Sequence, residues 1–406
     1  MKIEKKTGLS ILFSFFVFMS LNLPTIKFIY SSELMNILAL AGIIGVGMFR
    51  WMYNSESLIN LTRRQFRFLL YFMILWHLIF TITWIQNPTY FTFTHALQYI
   101  SVILFSISVL LFLKLKDVPY IVFFQVTWGT GFAFLEWTMG VPRSRELGQT
   151  YLTAGVVIAA TIVVVMGLIL SKAVKVYMKV LLIPVMVILL LGITSLSGRA
   201  PILLSLIVPV TVYLFSIFFE KSVGKKVSAF IVLTIGIIAI GVSLYQILPA
   251  NTINRMMRVF VDIQSEPRYQ VYEQAFIVVR ENPFGIGLRG YRAFNTGYPH
   301  NIFLEIAMSG GIVALVPFMG ILTSVYASAV DVVKSKNINM VWLNLSMYFF
   351  LTWNISFDLS SSYMVFISMV MLIKCQEIHQ YAEISEQNSR FFSEVGFGFI
   401  NKHITE

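Results

Sequence analysis

The 406-residue chain is 57% hydrophobic and 12% charged, with a mean hydropathy of +0.79. A soluble globular domain cannot carry that much apolar surface, so soluble classes are excluded and the chain reads as an all-α, polytopic integral membrane protein. Its formal net charge of +11 imitates a nucleic-acid binder, but the placement of the basic residues gives a plainer account that needs no nucleic acid.

A membrane-crossing helix needs about 20 mainly apolar residues. Twelve such runs lie near 8–26, 33–51, 67–85, 91–113, 118–139, 150–171, 175–193, 201–219, 227–248, 301–328, 339–356 and 359–375. The predicted organisation is nine spans within 1–248, an extracytoplasmic loop at 249–300 with amphipathic helices, three spans within 301–375 and a cytoplasmic tail at 376–406. The opening MKIEKK and its apolar run imitate a signal peptide, but no small-residue cleavage site precedes Pro24, so the run is read as the first span.

With the amino terminus inside, 20 of the 30 basic residues fall on inner loops, and both termini are expected in the cytoplasm. Among the other ten only Lys27 is a lysine; the rest are Arg143, Arg145, Arg199, Arg255, Arg258, Arg268, Arg280, Arg289 and Arg292. Arginine presents a planar five-donor fork that binds phosphate or carboxylate bidentately, whereas lysine is a hydrated point charge. The outer face is therefore read as a site for an anionic ligand, against the plainer reading of arginines as interfacial anchors.

The first five spans carry little chemistry. His77 in the third and His95 in the fourth are read as hydrogen-bonded packing residues rather than proton relays. Glu136, in FLEWTMG, is costly to place in lipid and is expected to face the protein interior, orienting an arginine or a sugar hydroxyl. The loop at 140–150 adds Arg143 and Arg145, with Glu146 as a neighbour to pair. In TSLSGRAP, Pro201 suits the first turn of the next helix, so Arg199 stands beside a helix N-terminus, which already attracts anions.

The outer loop begins with NTINRMMRVFVDIQ, whose apolar residues recur at helical spacing. A second helix is expected from Arg268 to Glu281, stopped by Pro283. GIGLRG at 285–290 fits G-x-G-x-x-G, but no strand precedes it and no βαβ unit surrounds it, so it is read as a tight turn rather than a dinucleotide fingerprint. The chain then re-enters the membrane through YPHNIFLEIAMSGG. Asn301 is a good N-cap, and His300 is left at a helix mouth whose positive end favours the neutral imidazole, leaving proton acceptor and structural cap both open. Gly310 and Gly311 are expected to admit a closely packed helix. The single cysteine, Cys375, forms no intrachain disulfide and no zinc site.

Taken together, SLSGRAP, the stretch EPRYQVYEQAFIVVRENPFGIG and PHNIFLEIAMSGG resemble the O-antigen ligase and Wzy O-antigen polymerase superfamily, over roughly residues 190–325. The run from Gly287 to His300 is shorter than in ligase members. The resemblance implies a GT-C-like membrane glycosyltransferase of the bacterial plasma (inner) membrane. Such enzymes take a glycan from an undecaprenyl diphosphate-linked donor on the extracytoplasmic face and pass it to an acceptor hydroxyl, without metal or cofactor. It makes Arg199 and Arg268 the diphosphate-binding arginines and His300 the base, with Arg280, Arg289, Arg292, Asn301 and Glu136 as further binding groups. Its implied partners are lipid-linked oligosaccharides, the bilayer and a chain-length regulator protein. The outer acids form no DxD-like pair, which agrees with charge neutralisation by arginine. A polymerase is the first reading, a ligase acting on lipid A-core or another acceptor the second, and a transporter or flippase of an anionic lipid, which needs half-helices broken mid-membrane, the third.

Overall fold

The computed structural model describes residues 2–29, 34–54, 61–86, 91–140, 151–196, 198–220, 222–247, 253, 267–294 and 296–377. The expected first loop helix, the loop with Arg143 and Arg145, and the tail from residue 378 lie outside these residues. Eight apolar helices come first: α1 (Lys2–Ile29), α2 (Leu34–Asn54), α3 (Arg63–Gln86), α4 (Phe93–Phe112), α5 (Val118–Met139), α6 (Tyr151–Leu170), α7 (Val176–Thr194) and α8 (Arg199–Phe218). They are followed by α9 (Val223–Ile247), the loop helix α10 (Pro267–Glu281), α11 (Ile302–Ser335), α12 (Met340–Trp353) and α13 (363–377). Leaving out α10, each helix overlays one predicted span, and the chain is an all-α, multi-pass membrane protein. Helices are the form this composition demands, because in hydrocarbon every backbone N–H and C=O must be satisfied within the segment.

Nine helices among the described residues, α1 to α8 and α11, are long and apolar enough to cross a membrane. The expected eleventh span, 339–356, is shorter than predicted: α12 has 14 residues, about 21 Å at the usual helical rise. The next stretch, 354–362, turns back with a 3-10 turn at Leu359–Ser361 before α13 begins. Both α12 and α13 are largely buried, so neither needs the full lipid-facing length of an outer helix.

Among the described residues, the ion pairs between helices gather at one end of the bundle. There Arg50 pairs with buried Asp117 at 3.0 Å, Arg64 with Asp331 at 2.6 Å, and Lys336 lies 3.7 Å from Glu220. Asn337 and Asn339 donate to Gln376, and Lys374 donates to the carbonyls of Leu110 and Leu111. The opposite end carries the start of α4, α8 and α11 and the close of α3 and α12.

α11 packs extensively along α3. A Cβ on Gly310 would lie 2.9 Å from Ile79, and one on Gly320 2.6 Å from the Tyr71 ring. Gly310 thus admits a helix as expected, but Gly311 does something else. Its φ of 73° and ψ of 175° break the helix, and what comes close is the backbone of Pro283 and Phe284, not another helix. His77 also departs from expectation. Phe68, Phe72, Leu75, Trp76 and Ile79 form the buried face of α3, and His77 falls on the exposed one. His95 closes the α4 capping box with Thr92.

Candidate active site

The site is assembled around the break in α11. α10 presents Ala275 and Val278 to Ile286, Tyr291 and Met308, which seats it on the first segment of α11. It ends with Asn282 donating to the Val278 carbonyl, where Pro283 forbids continuation. The chain then runs as a strap into the break. Ile286 N–H donates to Met308 O at 2.7 Å, Gly287 N–H to Ser309 O at 3.1 Å, and Ile312 N–H to Pro283 O at 2.9 Å. The groups that Gly311 strands are thereby re-satisfied, as an interrupted membrane helix requires. Leu288 N–H donates to Thr83 Oγ1 at 2.9 Å, tying the strap to α3.

Two glycines in GIGLRG are needed for this path. Gly285 and Gly287 have φ of +87° and +76°, and a Cβ on Gly285 would lie 2.5 Å from the Gly311 nitrogen. The motif is a tight backbone turn, as expected of it, and its close partner is the broken helix.

Beyond the strap, a 3-10 turn at Gly290–Phe294 leads to His300, which sits at φ +50°. A non-glycine residue in the left-handed region carries strain that surrounding structure must hold. Two contacts hold it. The His300 ring lies 4.2 Å from the Tyr298 ring, tilted by 56°. Asn301 Oδ1 accepts from Phe303 and Leu304 N–H at 3.0 and 3.1 Å, fixing the start of α11 as the N-cap predicted.

The imidazole is half-buried, and its Nδ1 is buried with no hydrogen-bond partner among the described residues. Its pKa is lowered from the ordinary histidine value, first by burial and further by the Arg268 guanidinium; contact with the Ser356 backbone and the Asp358 charge act the other way. A neutral ring near pH 7 is the expected state, though burial is a larger cause than the helix end invoked from sequence. Burial likewise raises the phenols of Tyr298, Tyr291 and Tyr272, so these hydroxyls keep their protons.

The fourth wall is the 354–362 stretch. Asp358 accepts from Ser360 Oγ at 2.8 Å and Ser361 Oγ at 2.9 Å, and Trp353 Nε1 donates to its carbonyl at 3.0 Å. Buried Glu305, on the first turn of α11, accepts the Leu359 N–H at 2.8 Å. Tyr272 of α10 reaches the Asn354 carbonyl at 3.5 Å. The strap, the helix mouth, α10 and this stretch therefore converge.

Of the residues singled out from sequence, Arg268, half-buried at the start of α10, is within electrostatic reach of His300. Arg289, at φ +59°, hydrogen-bonds Tyr291 and stands near Glu305. Arg280 and Arg292 are exposed. Glu136 is buried near the end of α5. Arg199 opens α8 with Gly198 as its N-cap, and α8 packs beside α6, α12 and α11. Sequence reasoning counted Asp358 among the outer acids without placing it at the site. Its signal was DLSSS, an acid followed by hydroxyls between two apolar runs. Tyr298 and Tyr272 were missed. Among the described residues, no three His, Cys, Asp or Glu side chains stand close enough to share a metal ion.

The fold and this site define a helical multi-pass membrane protein with one cluster of polar residues over an interrupted helix. Residues 184–319 match the family model described as O-antigen ligase, a likeness that covers this part of the chain and supports the O-antigen ligase and Wzy superfamily. The matched segment runs from α7 through Arg199, Arg268 and His300 to the second part of α11. No curated protein matches the chain.

Proposed function

We propose that the chain is a Wzy-like polysaccharide polymerase. It takes a growing glycan from an undecaprenyl diphosphate-linked donor and passes it to a sugar hydroxyl of a lipid-linked repeat unit on the extracytoplasmic face of the bacterial inner membrane. The observation that carries the reading is the His300 imidazole, with its pKa lowered and its buried Nδ1 without a partner among the described residues, within electrostatic reach of the Arg268 guanidinium. The acceptor oxygen attacks the anomeric carbon from the face opposite the diphosphate. The new C–O bond forms as the bond to the phosphate oxygen breaks, the electron pair leaves with undecaprenyl diphosphate, and the hydroxyl proton passes to His300. A single displacement inverts the anomeric configuration. Arg268, and Arg199 at the N-terminus of α8, neutralise the leaving diphosphate, the role a metal ion plays in other glycosyltransferases.

The description of the matching domain favours a second reading, a ligase that transfers the finished glycan to lipid A-core or another acceptor. Deleting the gene separates the two. Accumulation of single repeat units on the carrier lipid supports the polymerase, and long lipid-linked chains that never reach an acceptor support the ligase.

Two variants probe the charges. Arg199→Lys keeps the positive charge but loses the bidentate fork, and a loss of roughly ten- to a hundredfold in transfer rate is expected; an unchanged rate would make Arg199 a simple point charge. Asp358 favours the imidazolium, so Asp358→Asn is expected to move the acid limb of the pH–rate profile to lower pH, because less acid-stabilised His300 stays neutral further down. An acid limb that stays in place would remove Asp358 from the electrostatics of the base.

A further inference from the structure

At the end of the bundle opposite His300, a cavity of about 410 Å³ opens between α8 and α9, lined by Tyr213, Ile217, Glu220, Lys225, Ser228 and Lys336. We infer that it is a binding site for the phosphate headgroup of an anionic membrane phospholipid. Lys336 is held for this task on both sides of its backbone. Its N–H donates to Val332 O and its carbonyl accepts from Lys172 N–H, each at 2.8 Å, and it takes a left-handed φ of +51°. The backbone at the end of α11 is thereby fixed, and the Lys336 ammonium lies 3.7 Å from Glu220. Lys226 and Lys334 flank the same place, the first reaching the Phe218 carbonyl at 3.4 Å and the second lying over the Phe219 ring at 5.4 Å. Two lysines, Lys225 and Lys336, thus line a cavity whose lining carries one carboxylate, Glu220.

The surroundings point to a lipid rather than a free anion. α9 leans chiefly on α8, and Ile231, Ile235, Ile238 and Val242 along it are exposed. A headgroup in the cavity would have apolar helix surface beside it for its acyl chains. The positive end of α9 lies at the cavity, which Gly224 and Lys225 of its first turn line, Ser228 and Tyr213 add hydroxyls, and a Cβ on Gly224 would meet nothing within 4 Å. Basic pockets between membrane helices favour acidic headgroups by about fivefold in affinity per lysine, the factor that corresponds to ~1 kcal/mol.

The test uses the purified full chain in phosphatidylcholine nanodiscs, supplemented with phosphatidylglycerol and read by native mass spectrometry for retained lipid. Phosphatidylglycerol is expected to stay bound while phosphatidylcholine does not. The Lys225→Gln, Lys336→Gln double variant should retain it about 25-fold more weakly, and Glu220→Gln more strongly. Gly224→Leu adds bulk at a lining residue where an added Cβ meets nothing within 4 Å and should also lose the lipid, so a second variant tests the site if the lysine variant fails to fold. Equal retention of the two lipids, or full retention by Gly224→Leu, would overturn it. Displacement of the adduct by millimolar inorganic phosphate would overturn the lipid assignment in favour of a soluble anion.

Discussion

His300→Ala is expected to lower glycan transfer by roughly 10²- to 10⁴-fold, the usual contribution of a positioned general base, in a chain that still folds and inserts. The residue is half-buried, and Asn301, not His300, caps α11, so little core packing is lost. Alanine at φ +50° keeps the same backbone strain, so any change in stability comes from the lost ring contact with Tyr298. Aromatic contacts of this kind contribute about 0.5–1.5 kcal/mol, too little to unfold the bundle. The pH dependence sharpens the result. A base must be neutral to act, and because burial and Arg268 lower the His300 pKa, the wild-type rate should hold through neutral pH and fall only below the ordinary histidine range. Wild-type polymer from the alanine variant, or an acid limb above that range, would assign the ring a structural role.

Gly311→Ala is expected to be a strongly damaging single-methyl change, costing at least ~2 kcal/mol. Its φ of 73° and ψ of 175° lie in a region that only glycine visits at low cost. The added Cβ would stand 2.6 Å from the Phe284 carbonyl carbon and 2.7 Å from the Pro283 oxygen, neither of which is a flexible side-chain end. Relief requires either restoring the helix, which strands the strap, or lifting the strap, which strands Ile312 N–H. Thermal melting of the purified protein in detergent, with limited proteolysis between α10 and α11, separates the outcomes: a lower melting temperature with new cleavage near 283–290 is expected. An alanine variant that melts and resists proteolysis like the wild type would mean that the break does not depend on glycine.

The break also bears on the transporter reading, which asked for half-helices interrupted within the membrane. One is present, but Met308 O, Ser309 O and Ile312 N–H are all engaged by the strap, so these backbone groups are not free to coordinate a transported ion.

Much of the scaffold was legible because the apolar runs are long and hydropathy is a direct readout of the bilayer. Pro267–Glu281 was legible for a local reason, a helical pattern closed by a proline. The kink was not, because two glycines in an apolar run specify close approach without saying what approaches. Gly310 received α3 and Gly311 received a loop, a difference fixed by contacts with residues 283–287. Asp358 was visible as an acid but not as a neighbour of His300, since only the shortness of α12 turns the 354–362 stretch back toward the helix mouth. Arg289 looked equivalent to Arg268 in the sequence. In the fold Arg289 hydrogen-bonds Tyr291 and stands near buried Glu305, whereas Arg268 stands within electrostatic reach of His300.

The central claim, that the residues around His300 transfer glycan from a lipid diphosphate to a sugar hydroxyl without a metal ion, is tested most directly by reconstitution. The purified full chain is incubated with a defined undecaprenyl diphosphate-linked repeat unit in the presence of EDTA, and the lipid-linked products are resolved by length. The account predicts a ladder of longer lipid-linked oligosaccharides that EDTA leaves unchanged and that His300→Ala eliminates. A ladder that needs added divalent cations, or one that the alanine variant still makes, would contradict it.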